Sequence, residues 1–163
     1  MSASSSSGTT DPATGAGAGW SVTRETPASA HVVNGLRACL EAHNEAVAGI
    51  RPESAALAWV VHAPDGEMVG GLAAEARYGW LHIRLLWVNA DRRGGGAGSA
   101  LLDAAERTAR ERELTGLLTD TSSFQAPTFY RRHGFAVVGE VPDLPPGHTT
   151  YYLAKRLDDP PAP

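Results

Sequence analysis

The sequence predicts one α/β (α+β) domain built as three antiparallel strands, then helix, strand, helix, strand, strand. Three observations predict it. Apolar segments joined by tight-turn chemistry occupy residues 56–88, one amphipathic helix follows residue 98, and short strand and helix patterns alternate beyond it. The 163 residues are enough for one buried core and too few for two comfortable ones.

Residues 1–19 are mostly Ser, Gly, Ala, Thr and Pro without apolar periodicity, and Asp158-Asp159-Pro160-Pro161-Ala162-Pro163 reads the same way. Such composition cannot offset the entropy of ordering, so two tails are expected around a domain at 20–157. Trp20-Ser21-Val22-Thr23-Arg24 is a weak first strand. Val32, Val33, Leu36, Leu40 and Val47 recur at near-helical spacing, which predicts one or two short helices between 28 and 47. Pro52 and Glu53 mark a break before a second strand at 56–61, and Pro64-Asp65-Gly66-Glu67 turns it into a third at 68–75. After Tyr78-Gly79 a fourth strand runs over 80–88, with Leu81, Ile83 and Leu85 expected on one face and His82, Arg84 and Leu86 on the other. Alternation fails at Leu85-Leu86-Trp87-Val88, so this end is either buried on both faces or bulged.

The helix expected over 98–113 carries Leu101, Leu102, Ala105 and Ala109 as its apolar stripe, with Glu106 one turn before Arg110. A fifth strand is expected at 115–119, a short helix at 126–133 stopped by Gly134, a sixth strand at 135–139 and a seventh at 149–156.

Composition excludes several classes. The net charge of −4 is spread along the chain with no dense basic run, which argues against nucleic acid. No apolar stretch approaches the ~20 residues that span a bilayer, and the N-terminus lacks the basic start and apolar centre of a secretory signal. A cytoplasmic protein without membrane partners is expected. Cys39 is the sole cysteine, so neither an intramolecular disulfide nor a cysteine-held zinc is available, and no metal is expected. Set among Leu36, Ala38 and Leu40, Cys39 reads as a packed small hydrophobe.

The chemistry gathers at Arg93-Gly94-Gly95-Gly96-Ala97-Gly98, between the fourth strand and the amphipathic helix. A glycine turn passing into a helix lets bare backbone N–H groups approach an anion, with the positive end of the helix dipole behind them. Arg92 and Arg93 add charge, and Ser99 adds a hydroxyl. The Lys-Ser/Thr pair of a P-loop is missing, and so is the GxGxxG with its downstream acid.

These residues resemble the GNAT superfamily of N-acetyltransferases, whose turn reads Arg/Gln-x-x-Gly-x-Gly/Ala. Tyr130-Arg131-Arg132-His133-Gly134-Phe135 is similar to the superfamily's second signature, a helix ending Tyr-x-x-x-Gly-Phe. The resemblance covers roughly 22–157 and is strongest over 80–138. It implies a mixed, mostly antiparallel sheet of six to seven strands, splayed between the fourth and fifth, with about four flanking helices. It also implies acetyl-coenzyme A or another acyl-coenzyme A as donor.

On that resemblance, the cofactor would lie against Leu86, Trp87, Val88, Arg93, Gly94, Gly95, Gly96, Ala97, Gly98, Ser99 and Tyr130. The Val88 N–H would serve the oxyanion, and Tyr130 would protonate the departing thiolate. The alternative for Tyr130 is a core aromatic between Phe129 and Phe135, and the general acid is the favoured reading. An amine must lose its proton before attack, and Glu75, His82 and Asp120 are the candidate bases. Arg84 stands near where relatives carry an acid, and would bind an acidic substrate group or pair with Glu75. Asp120, Ser122 and Gln125 follow the fifth strand, where donor and acceptor should meet. Trp59, Trp80 and Trp87 read as core or hairpin residues, or as an acceptor wall.

The resemblance implies a small-molecule amine as acceptor, as in antibiotic-modifying or biosynthetic members. Two other readings stay open: an acyl carrier protein as donor, docked on Arg92, Arg93, Arg131 and Arg132, and a non-catalytic acyl-coenzyme A module. The segment Thr149-Thr150-Tyr151-Tyr152-Leu153 would complete the sheet or reach the partner in a homodimer.

Overall fold

The structure is a computed structural model that describes residues 22, 24–49 and 55–157. The chain divides into two compact units, residues 1–51 and 52–163. The expected tails and most of the strand at 20–24 lie outside the described residues.

Among the described residues of the first unit one long helix, α1 (Ala30–Ala48), spans the region where one or two short helices are expected. The Ser29 hydroxyl caps it by accepting from the Val32 N–H, and Gly49 ends it at φ +66°. Cys39 is exposed and not packed. Apolar neighbours along one helix face do not by themselves bury a residue.

The second unit is a six-stranded sheet in the order β1-β2-β3-β4-β6-β5. Its strands are β1 (Ala55–His62), β2 (Met68–Arg77), β3 (Trp80–Val88), β4 (Gly116–Ser122), β5 (Ala136–Pro142) and β6 (Thr149–Arg156). Tyr78 at φ 50° and Gly79 at φ 76° form the two-residue turn between β2 and β3, both left-handed as a tight hairpin requires. All pairings are antiparallel except β3 with β4. The described helices of this unit are α2 (Ala97–Glu111), α3 (Pro127–Arg132) and a single 3₁₀ turn at Ala90–Arg92.

The apolar stripe of α2 lies in the core. Leu101, Leu102, Ala105 and Ala109 are buried against Leu72, Leu81, Ile83, Leu117 and Leu153. At the edge of this contact Glu106 accepts from Arg110 at 2.8 Å and from Lys155 of β6 at 2.6 Å, tying helix to sheet. Burial raises the Glu106 pKa, but the hydrogen bonds from Lys155 and Arg110 outweigh it and leave the carboxyl below its ordinary value.

Gly116 begins β4 where only hydrogen fits. A Cβ there would overlap the Lys155 carbonyl and come within 2.5 Å of the Trp80 ring.

β3 is bulged. Ala73 pairs with Leu85 and Ala74 with Ile83, which leaves Arg84 without a register partner. The extra residue reverses the phase of the strand. Leu85, expected beside Leu81 and Ile83, is 69% exposed, while Leu86 and Val88 turn to pack on the core. The same register sets Glu75 opposite His82 and not Arg84.

β6 runs between β4 and β5, so both its edges are occupied within the sheet.

Candidate active site

β3 and β4 pair only through Trp80 with Gly116, Leu81 with Leu117 and His82 with Leu118. Beyond His82 they part, and a cleft of about 830 Å³ opens between them, closed by the N-terminus of α2 and by α3.

Backbone parity decides what β3 presents there. The Asn89 N–H donates to the Val69 carbonyl at 2.9 Å, so Asn89 spends its backbone groups on β2. In an antiparallel ladder alternate residues face opposite edges. Val88 and Leu86 therefore direct their N–H and C=O groups away from β2, into the opening. The Val88 carbonyl is met there by Arg93, whose Nε–H donates to it at 3.1 Å.

The glycine turn occupies one end of the cleft. Gly94 at φ +80° and Gly96 at φ +86° hold conformations that L side chains rarely adopt, and a Cβ at either would enter open space. Gly96 is the N-cap of α2 and brings no side-chain cap. The first helical bond described runs from Ala100 N–H to the Gly96 carbonyl, so the N–H groups of Ala97, Gly98 and Ser99 precede the ladder and point out of the helix end. Phe129 lies where a Cβ on Gly98 would meet it at 3.4 Å, so α3 rests directly on this turn. Bare donors, a helix dipole and Arg92 and Arg93 in the wall fit a diphosphate.

Tyr130 of α3 lies beside Phe129 on the same wall. Its ring packs edge-on against Phe129 and Phe135 at 5.3 and 5.5 Å between centroids. The side chain is 6% exposed, yet it lines the cleft. Burial raises the phenol pKa, opposed by a hydrogen bond with the Thr119 side chain and assisted by the Asp120 carboxylate. The two readings of this tyrosine are compatible, since it is both a core aromatic and a cleft residue, and it is neutral at neutral pH.

Of the residues singled out by sequence, the cleft gathers Arg84, Leu86, Trp87, Val88, Arg93, Gly94, Gly96, Ala97, Gly98, Ser99, Asp120, Gln125 and Tyr130. Gly95, Glu75, His82 and Ser122 are not on its wall. His82 pairs across the hairpin from Glu75, and burial, Arg84 and Arg77 lower its pKa against the opposing pull of Glu75. Ser122 instead braces the following loop, its N–H donating to Gln125 Oε1 at 2.8 Å, while Thr121 Oγ1 donates to the same oxygen at 3.2 Å.

Sequence reading missed Leu85, Thr119 and Thr121 as wall residues. Thr119 was findable: it falls two before Thr121 on one strand face, just where the apolar run of β4 ends. Leu85 was not, because its exposure depends on the bulge.

Comparison with known families matches residues 24–135 to the acetyltransferase (GNAT) family. The chain belongs to this family. It is a GNAT acetyltransferase, with residues of both signatures lining one cleft. Over 93 residues it is 46% identical to blasticidin-S acetyltransferase of Streptomyces morookaense, a match covering 56% of this chain and 68% of that protein. A solved acetyltransferase from Bacillus cereus ATCC 14579 is 31% identical and superposes with a TM-score of 0.73 over 80% of this chain and 94% of the other. A Bacillus anthracis str. Ames protein assigned as a streptothricin acetyltransferase, solved with acetyl coenzyme A, shares the fold at TM-score 0.57 and 19% identity over 63% of each chain.

Proposed function

We propose that this GNAT acetyltransferase moves an acetyl or other small acyl group from acyl-coenzyme A to a primary amine of a small molecule, by direct attack within a ternary complex. One observation carries the reading: an uncapped helix N-terminus, two outward-facing strand residues and a buried neutral phenol converge on one cleft.

The α2 turn would hold the diphosphate, and Leu86 and Val88 would pair with the pantetheine amides as a partner strand does. The Val88 N–H would donate to the acyl oxygen as negative charge develops on it. Tyr130 would give its proton to the sulfur as the thioester bond breaks, and burial keeps that proton in place at neutral pH.

The acceptor would enter from the sheet face opposite α2. Leu85 and Trp87 project there, 69% and 48% exposed, with Arg84 and Asp120 also exposed and also on the wall. Asp120 would hold the acceptor's ammonium or take its proton. Glu75 and His82 stand off the wall and receive no direct role. Blasticidin S, named by the relative, is the first acceptor to offer.

Calorimetric titration with acetyl-coenzyme A tests the donor site. Micromolar binding is expected, and an Arg93→Ala/Gly96→Glu double variant should lose it by about 100-fold or more, because a carboxylate on a strained Cβ would occupy the anion cradle. A free-thiol assay over a panel of amines, blasticidin S included, then finds the acceptor. Absence of binding to the intact protein overturns the reading.

A further inference from the structure

His133 follows α3 and reaches across to α2. Its Nδ1 lies 2.8 Å from the Phe129 carbonyl and its Nε2 lies 3.0 Å from the Ser99 hydroxyl. A carbonyl oxygen only accepts, so Nδ1 carries a hydrogen. In the neutral ring Nε2 must then accept, and the Ser99 O–H donates to it. Ser99 is in the first turn of α2 and on the cleft wall. With its hydrogen committed to the imidazole, it turns only lone pairs toward any anion at that turn.

Protonation at Nε2 reverses the bond. The imidazolium donates to Ser99 Oγ, the serine O–H is freed to donate into the cleft, and one positive charge is added behind the helix end. An anion seated on the turn gains both.

We infer that His133 is a positioning residue for the donor's diphosphate, coupling occupancy of the α2 N-terminus to uptake of a proton through Ser99. The inference rests on the acyl-coenzyme A reading above. Linkage makes the effect reciprocal: protonation tightens diphosphate binding, and diphosphate binding raises the proton affinity of the imidazole.

The charged groups of the surrounding elements do not share this behaviour. Arg92 and Arg93 stand in the cleft wall, and Arg131 and Arg132 precede His133 on α3. Lys155 of β6 passes Gly134, where a Cβ would meet its Nζ at 3.6 Å, and that ammonium is bound to Glu106. Asp103 lies one turn beyond Ser99 on α2. By residue type only a histidine ordinarily changes charge between pH 5 and 8. Phe129, packed on the ring at 4.4 Å between centroids, is neutral.

The test uses dephospho-coenzyme A, whose diphosphate is retained while the titrating terminal phosphate is gone. Calorimetry in buffers of different ionisation enthalpy should show proton uptake on binding, and Kd should tighten by about tenfold from roughly pH 8 to roughly pH 5.5. His133→Gln should abolish the uptake and flatten the profile. Ser99→Ala, which keeps the imidazole, should shrink both and serves if the histidine variant does not fold. Binding without proton uptake, or the full pH slope in either variant, overturns the inference and leaves the donor reading standing. No binding at any pH overturns both.

Discussion

Tyr130 carries two burdens that can be separated by one oxygen atom. Its ring fills space between Phe129 and Phe135, and its hydroxyl faces Thr119 and Asp120 in the cleft. Tyr130→Phe keeps the ring, so the melting temperature should change by no more than a few degrees. Acetyl-coenzyme A affinity should hold, while kcat should fall about 10²–10³-fold, within the roughly 10²–10⁴-fold that general acid–base catalysis contributes. Steady-state kinetics beside a thermal melt checks this, and an unchanged kcat would remove the phenol from the chemistry. The motif made this residue legible from sequence. Its hydrogen bond with Thr119 was not, because the two come from different elements and meet only when α3 folds onto β4. Arg84 shows the opposite case. Composition allowed it to pair with Glu75, but the bulge sets it out of register and onto the cleft wall.

Among the elements, α2 was read most directly, since helical periodicity alone selects Leu101, Leu102, Ala105 and Ala109 as the face that must be covered. What it covers was not readable, nor was the second partner of Glu106. Periodicity supplied Arg110, whereas Lys155 lies 49 residues away in sequence. Glu106→Gln leaves the Lys155 ammonium, 21% exposed, beside a neutral amide. We expect a loss of about 1–3 kcal/mol in denaturant unfolding, below the usual cost of splitting a fully buried pair because water reaches this one. Gly116→Ala acts on the sheet. The added methyl must displace either the β6 backbone or the Trp80 ring, and a cost of about 2–3 kcal/mol or failure to accumulate as folded protein is expected. A variant as stable as the parent would mean that β3 and β4 separate more readily than their pairing suggests. The strand lengths themselves were underestimated in sequence, because β2 and β4 continue through residues whose polarity suits a loop and whose hydrogen-bond partners are supplied by neighbouring strands.

For the molecule as a whole, three shifted groups set a pH window. His82 is held below its ordinary 6.5 and Glu106 below its ordinary 4.5, so the unfolded chain takes up the extra protons as pH falls. Stability should decline from pH 6.5 downward, then more steeply through 4.5. Tyr130 is raised above 10.0, so at the alkaline end the unfolded chain loses its proton first, and stability declines as pH rises past that value. Chemical denaturation across pH should show the plateau between these limits. His82→Gln should remove the shallower acid limb, and a limb unchanged in that variant would assign it elsewhere. By itself the sequence determined the order of strands and helices, the family and the two motifs that line the cleft, because periodicity, turn chemistry and a six-residue anion motif act locally. Tertiary structure alone decided which edge of β3 faces the opening, that Arg84 forms the bulge, that Glu75 and His82 stand off the wall, and that His133 meets Ser99. Each of these depends on register or on contact between distant segments, and a register is fixed only when a neighbouring strand supplies its hydrogen bonds.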